Sequence, residues 1–121
     1  MHSYSQSTGI WYDPVGKVLG IGWAGQGVGK NNPNAENVHG IGPLPKGIYT
    51  ITAPYNSLQT GPYTLGLVPD PKNVMYQRGG FRVHGFNAEN PELSSEGCII
   101  QIRKVRETIW AYEDKLLQVV G

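Results

Sequence analysis

Glycine and proline interrupt this chain so often that only short strands and one short helix fit between them. Of its 121 residues, 17 are glycine and 9 are proline, about double the ordinary share of roughly 12%. These residues are scattered among Val, Ile, Tyr and Trp, the pattern of many short strands joined by tight turns. A chain of this length supports one buried core, so residues 1–121 read as a single domain.

Ile10 to Asp13 and Lys17 to Trp23 read as two strands joined at Pro14, Val15 and Gly16, a plausible hairpin. Ala24 to Pro45 is rich in Gly, Asn and Pro and reads as a long loop with short ordered pieces. Gly47 to Ala53 alternates, with Ile48, Thr50 and Thr52 on one face and Tyr49 and Ile51 on the other. Tyr63 to Val68, Phe81 to His84 and Cys98 to Ile102 are further strand candidates. After Ile102, apolar side chains at Val105, Ile109 and Tyr112 trace one face of a helix, and Leu116 to Val120 follows as a last strand. The expectation is a mostly β domain with one late helix.

Several function classes are disfavoured at this level. Ten basic and nine acidic residues leave a net charge of +1 with no basic stripe, so binding to nucleic acid through phosphate neutralisation is not expected. No apolar run approaches the length of about 18 residues that a membrane-spanning helix needs. Met1 to Thr8 is polar and lacks the apolar stretch of a cleavable signal peptide, which points to a chain made in the cytoplasm without one. Gly20, Gly22 and Gly25 fit G-x-G-x-x-G, but no helix pattern follows them; Gly29-Lys30 lacks the rest of a phosphate-binding loop. His2, His39 and His84 lie far apart with no metal-ligand spacing, and His39 reads as incidental.

The chain has one cysteine, Cys98, so no internal disulfide is expected. It is a packed thiol, a surface thiol or a nucleophile. His84 ends one apolar run and Cys98 begins the next, 14 positions later, across a polar loop. If the two runs pair as antiparallel neighbours, His84 and Cys98 meet at one rim of the sheet, with register deciding which way each side chain faces. A free thiol is only a few per cent ionised at pH 7; a neighbouring imidazole takes its proton and returns it to a leaving amine. Gly97 gives a substrate carbonyl open access and a backbone free to aim N–H groups at an oxyanion. The residues alone leave two readings open: an acyl-transfer pair, or a packed thiol with an incidental histidine.

His84-Gly85 followed by Ser95-Glu96-Gly97-Cys98-Ile99 resembles the L,D-transpeptidase signature of a histidine, a loop and then Ser/Thr-His-Gly-Cys. It is more similar still to the small antibacterial L,D-transpeptidase-like effectors of type VI secretion systems. Gly42 to Ile51 is similar to the Pro-x-Gly-x-Tyr/Phe segment of those domains, and Tyr4 to Gly9 and Arg103 to Val120 also resemble the effector type. The resemblance implies an L,D-transpeptidase-like β-sandwich with one α-helix after the nucleophile strand. It implies Cys98 as nucleophile, His84 as general base and acid, and a backbone carbonyl as third member of the triad. Ser95 would support the loop or the substrate, and Gly97 and Cys98 would supply oxyanion N–H groups.

Two departures stand out. Glu96 replaces the motif's second histidine, and Ile100 stands where many members carry an arginine. The missing arginine leaves recognition of the substrate carboxylate unassigned: Arg82 and Arg103 are the candidates, each set against the reading of a solvated surface arginine, and Gly85 is a further candidate for substrate contact. The implied activity is removal or exchange of the terminal D-alanine of peptidoglycan stem peptides, or their crosslinking, with neither metal nor organic cofactor. The implied setting is the periplasm of a target cell, reached by secretion or by a prophage-encoded route, with a cognate immunity protein as partner. The rival readings are a non-catalytic peptidoglycan-binding or tail-associated module of the same fold, and a cysteine peptidase acting on ordinary L-peptides. Sortases also run His before Cys, but the short spacing and the Ser-x-Gly-Cys pattern argue against them.

Overall fold

A computed structural model describes all 121 residues. Ten strands and one helix follow in chain order: β1 His2–Ser5, β2 Ile10–Tyr12, β3 Val18–Ile21, β4 Trp23–Ala24, β5 Gly47–Ile51, β6 Tyr55–Ser57, β7 Gly61–Pro69, β8 Arg82–His84, β9 Ile99–Ile100, α1 Arg103–Ala111 and β10 Leu116–Val120. The fold is mostly β with its one α-helix following β9, as expected from the sequence.

The strands form one mixed sheet in the order β3-β2-β1-β10-β5-β7-β8-β9-β4, with β6 paired to β7. Its two ends, β3 and β4, are consecutive in the chain and separated by Gly22 alone, so the sheet path curls back on itself. Gly22 makes the bend possible: a Cβ there would lie 1.7 Å from the carbonyl oxygen of Ile100. One of the glycines that imitate a nucleotide-binding pattern is thus needed for close backbone packing. The apolar inner face gathers Tyr4, Trp11, Tyr49, Ile51, Leu65, Leu67, Val83, Ile99, Leu117 and Val119, capped by Val105 and Ile109 of α1. Tyr49 and Ile51 point inward from β5, as the alternation predicts, and Thr50 outward.

Three expectations change. The segment Met1 to Thr8 contains a strand, β1, inserted between β2 and β10, with His2 and Tyr4 fully buried. Tyr55–Ser57 forms the short strand β6. Most important, β8 and β9 pair in parallel, Val83 opposite Ile99 and His84 opposite Ile100. The antiparallel pairing considered above is wrong, because residues 85–97 cross over instead of turning back as a hairpin; a parallel pair needs a connection of about a dozen residues. No helix is long and apolar enough to cross a membrane.

Candidate active site

The parallel register decides which side chains meet. Val83 and Ile99 point into the core, so His84 and Ile100 share the opposite face with Cys98, two residues before Ile100. Strand spacing and rise put His84 and Cys98 about 8 Å apart at the backbone, and both line one cavity of about 650 Å³. The cavity walls come from the loop at His39 and Gly40, the turn at Gln59 and Thr60, the segment Gln77 to Arg82, and Leu93, Ser94 and Glu96 of the crossover.

His84 is buried, and its Nδ1 lies 2.7 Å from the carbonyl oxygen of Gly85. A carbonyl only accepts, so Nδ1 carries the proton and Nε2 keeps its lone pair. Burial, reinforced by the Arg106 and Arg82 charges, lowers the imidazole below its ordinary value against the opposing Gly85 bond. The ring is therefore neutral and able to accept a proton near pH 7.

Cys98 is half-buried, and its Sγ makes one long contact, 4.0 Å to the Gly80 carbonyl, with no hydrogen bond to His84. Burial pushes the thiol up; the Arg82 N–H and the Arg82 and Arg78 charges pull it down, and Glu96 adds to the rise. The net rise keeps the resting group a thiol. A base must take its proton before it can attack.

The turn before Cys98 is held by several hydrogen bonds. Ser95, fully buried, donates its hydroxyl to the Cys98 carbonyl at 2.6 Å and accepts from Gly97 N–H at 3.1 Å and Gly25 N–H at 2.9 Å. The Gly97 carbonyl accepts from Leu44 N–H at 2.9 Å. The Cys98 N–H has no protein acceptor. Of the two N–H groups expected to face an oxyanion, that of Cys98 is therefore unpaired, whereas that of Gly97 is taken by Ser95. Gly97 sits at φ +138, in a region L side chains rarely adopt.

A buried imidazole with one free nitrogen, a thiol on the same face and an unpaired N–H beside that thiol is the constellation expected of a nucleophilic cysteine. The family model of the Tlde1 domain matches residues 20–118. The chain belongs to the Tlde1 domain family. Membership places it among the type VI secretion effectors. No curated protein and no solved structure matches the chain.

The remaining candidates of this Tlde1 domain are distributed over two hollows. Arg82 lines the Cys98 cavity and donates to Gln59 Oε1 at 3.1 Å. Arg103 lies in a neighbouring hollow of about 560 Å³, paired with Glu107 at 3.3 Å and stacked over Tyr63. Gly85 lines that second hollow too, and its carbonyl holds His84. His84, Gln59, Thr60, Leu93 and Ser94 border both hollows, so the imidazole stands at the divide between them.

Sequence reasoning passed over four residues. His39, read as incidental, lines the Cys98 cavity with Nε2 2.7 Å from the Tyr76 carbonyl. Gln59 and Thr60 form the opposite wall. Arg78, buried at the base of the cavity, donates to the carbonyls of Glu36, Gly42, Pro43 and Glu96. It directly precedes Gly79-Gly80, and no sequence signal marks it as buried.

Proposed function

We propose that this Tlde1 domain is a cysteine acyl-transfer enzyme acting on peptidoglycan stem peptides. The observation that carries the reading is the His84 imidazole, locked by Gly85 with Nε2 free, beside the Cys98 thiol in a cavity lined mainly by polar groups.

His84 Nε2 removes the Cys98 proton, and the thiolate attacks the carbonyl at the L-centre of the third stem residue. The tetrahedral oxygen gains negative charge next to the Cys98 N–H. Collapse breaks the C–N bond to the terminal D-alanine, and the imidazolium returns the proton to the departing amine. A thioester remains on Cys98. Water, deprotonated by His84, releases the tripeptide and makes the enzyme an L,D-carboxypeptidase; an amine in its place gives exchange or a crosslink.

The division of the cleft supports this order of events. Cys98 lines only the first hollow while His84 borders both, so the acyl portion occupies the Cys98 side and the leaving amine passes toward the second hollow. Arg82 and Arg103 supply cations on the two sides for carboxylates of the stem. The site of action is the periplasm of a target cell, and a cognate immunity protein covers the cleft in the producer.

Mass spectrometry of purified muropeptides, with and without added D-methionine, tests the reading. Tetrapeptides are expected to lose D-alanine, or to exchange it for D-methionine, with the wild type and not with Cys98→Ala. Unchanged tetrapeptides with a folded wild-type protein would replace this reading with the binding-module alternative; cleavage of ordinary L-peptides instead would favour the peptidase.

A further inference from the structure

Arg78 is the most heavily engaged cation in the molecule. Its Nη1 donates to the carbonyls of Glu36 at 2.6 Å and Pro43 at 2.8 Å, and its Nη2 to those of Gly42 at 2.9 Å and Glu96 at 3.1 Å. None of these four carbonyls has another partner. The guanidinium also lies against the Phe81 ring, 5.1 Å from its centroid. The chain reaches this position at a conformational cost: Tyr76 and Gln77, just before it, both take left-handed backbone at φ 55 and 60, about 1 kcal/mol or more each for residues other than glycine.

The four carbonyls belong to two segments that meet beneath the nucleophile. Glu36, Gly42 and Pro43 lie in the long loop, whose next residue, Leu44, holds the Gly97 carbonyl. Glu96 is in the nucleophile turn itself. A Cβ on Gly97 would come within 2.6 Å of Arg78 Nη2 and 2.8 Å of Phe81 Cε1, so the turn is pressed directly onto the guanidinium. We propose that Arg78 is a positioning residue that clamps the Glu96–Gly97–Cys98 turn to the 36–44 loop, setting the direction of the Cys98 thiol and of its unpaired N–H.

Five donors in a planar fork suit this task, and a lysine ammonium, with three donors on a flexible stem, cannot serve all four carbonyls. The fixed positive charge also faces Cys98, together with Arg82 and His84 on β8, Glu96 on the turn and His39 across the cavity. Arg78 therefore performs two separable tasks: the fork shapes the turn, and the charge favours the thiolate.

The test measures iodoacetamide alkylation of Cys98 against pH for the wild type, Arg78→Lys and Arg78→Gln, with folding checked by circular dichroism. Stem-peptide cleavage is followed in parallel. Arg78→Lys is expected to keep the alkylation midpoint within about 0.3 pH unit, and Arg78→Gln to raise it by about half a unit or more. Both are expected to slow cleavage about ten- to a hundredfold. Folded variants with the wild-type midpoint and full cleavage would overturn the proposal. If Arg78→Gln does not fold, a fully active Arg78→Lys overturns it on its own. The cleavage arm rests on the proposed function, and the alkylation arm does not. A wild type inert on stem peptides therefore counts against the function, while the midpoints still judge the charge that Arg78 presents to Cys98.

Discussion

His2 and His84 are both buried imidazoles that burial holds below their ordinary pKa, yet their ring nitrogens are committed differently. His2, in β1, has both nitrogens engaged. Trp11 Nε1 donates to its Nδ1 at 3.1 Å, so its Nε2 carries the proton and donates to the Asp114 carbonyl at 3.1 Å. Tyr112 packs edge-on against the ring. His84 has one nitrogen engaged, on its neighbour's carbonyl, and the other is free at the divide of the cleft. Two buried histidines thus differ in whether a nitrogen is left over. Burial alone marks neither as functional; the count of committed nitrogens separates them.

The comparison breaks most sharply under substitution. His84→Gln is expected to lower stem-peptide turnover by about 10² to 10⁴, the usual worth of a general acid–base, while shifting the thermal midpoint little. His2→Gln is expected to do the reverse, costing about 2–4 kcal/mol from a tightly packed, doubly bonded site and leaving turnover of the folded fraction intact. Paired turnover and thermal melts check both, and a His2 variant that loses turnover without losing stability would dissolve the distinction.

Ser95→Ala sharpens the comparison on the cysteine side. Its hydroxyl has three backbone partners and none in the cavity. About 1–3 kcal/mol of stability is expected to be lost, with kcat reduced and KM unchanged, because Ser95 shapes the turn without touching substrate. A raised KM alone would instead place it against the substrate.

The smallest expected effect is on pH dependence. Both histidines have folded pKa values below the unfolded value of about 6.5, so the unfolded chain binds more protons as pH falls through that region, and stability declines until the folded rings also titrate. The carboxylates of Glu36 and Asp114 are held low and come into play only at more acid pH. Thermal midpoints measured from pH 7 to 5 are expected to fall, and His2→Gln to flatten part of that slope.

The pair His84 and Cys98 was legible because a loop and Ser-x-Gly-Cys separate them in a recognisable way, and β5 and α1 because their apolar periods are clear. β1 was not: its inward positions are His2 and Tyr4, so a period of two exists but is not written in aliphatic residues. The His2 polar atoms find partners that only the assembled sheet supplies. The direction of β9 was equally hidden, since residues 85–97 are long enough for either a wide turn or a crossover. Arg78 lay furthest from view: three of the carbonyls it holds are 35 to 42 positions upstream, and their convergence exists only after folding.

The central claim, that Cys98 carries the acyl group while His84 handles the protons, is tested most directly by intact-protein mass spectrometry. The protein is mixed with a stem tetrapeptide and quenched in acid after short times. The expected result is an adduct on Cys98 equal to the tripeptide acyl group, formed as D-alanine is released, absent in Cys98→Ala and strongly slowed in His84→Gln. Release of D-alanine at the wild-type rate by Cys98→Ala would contradict it.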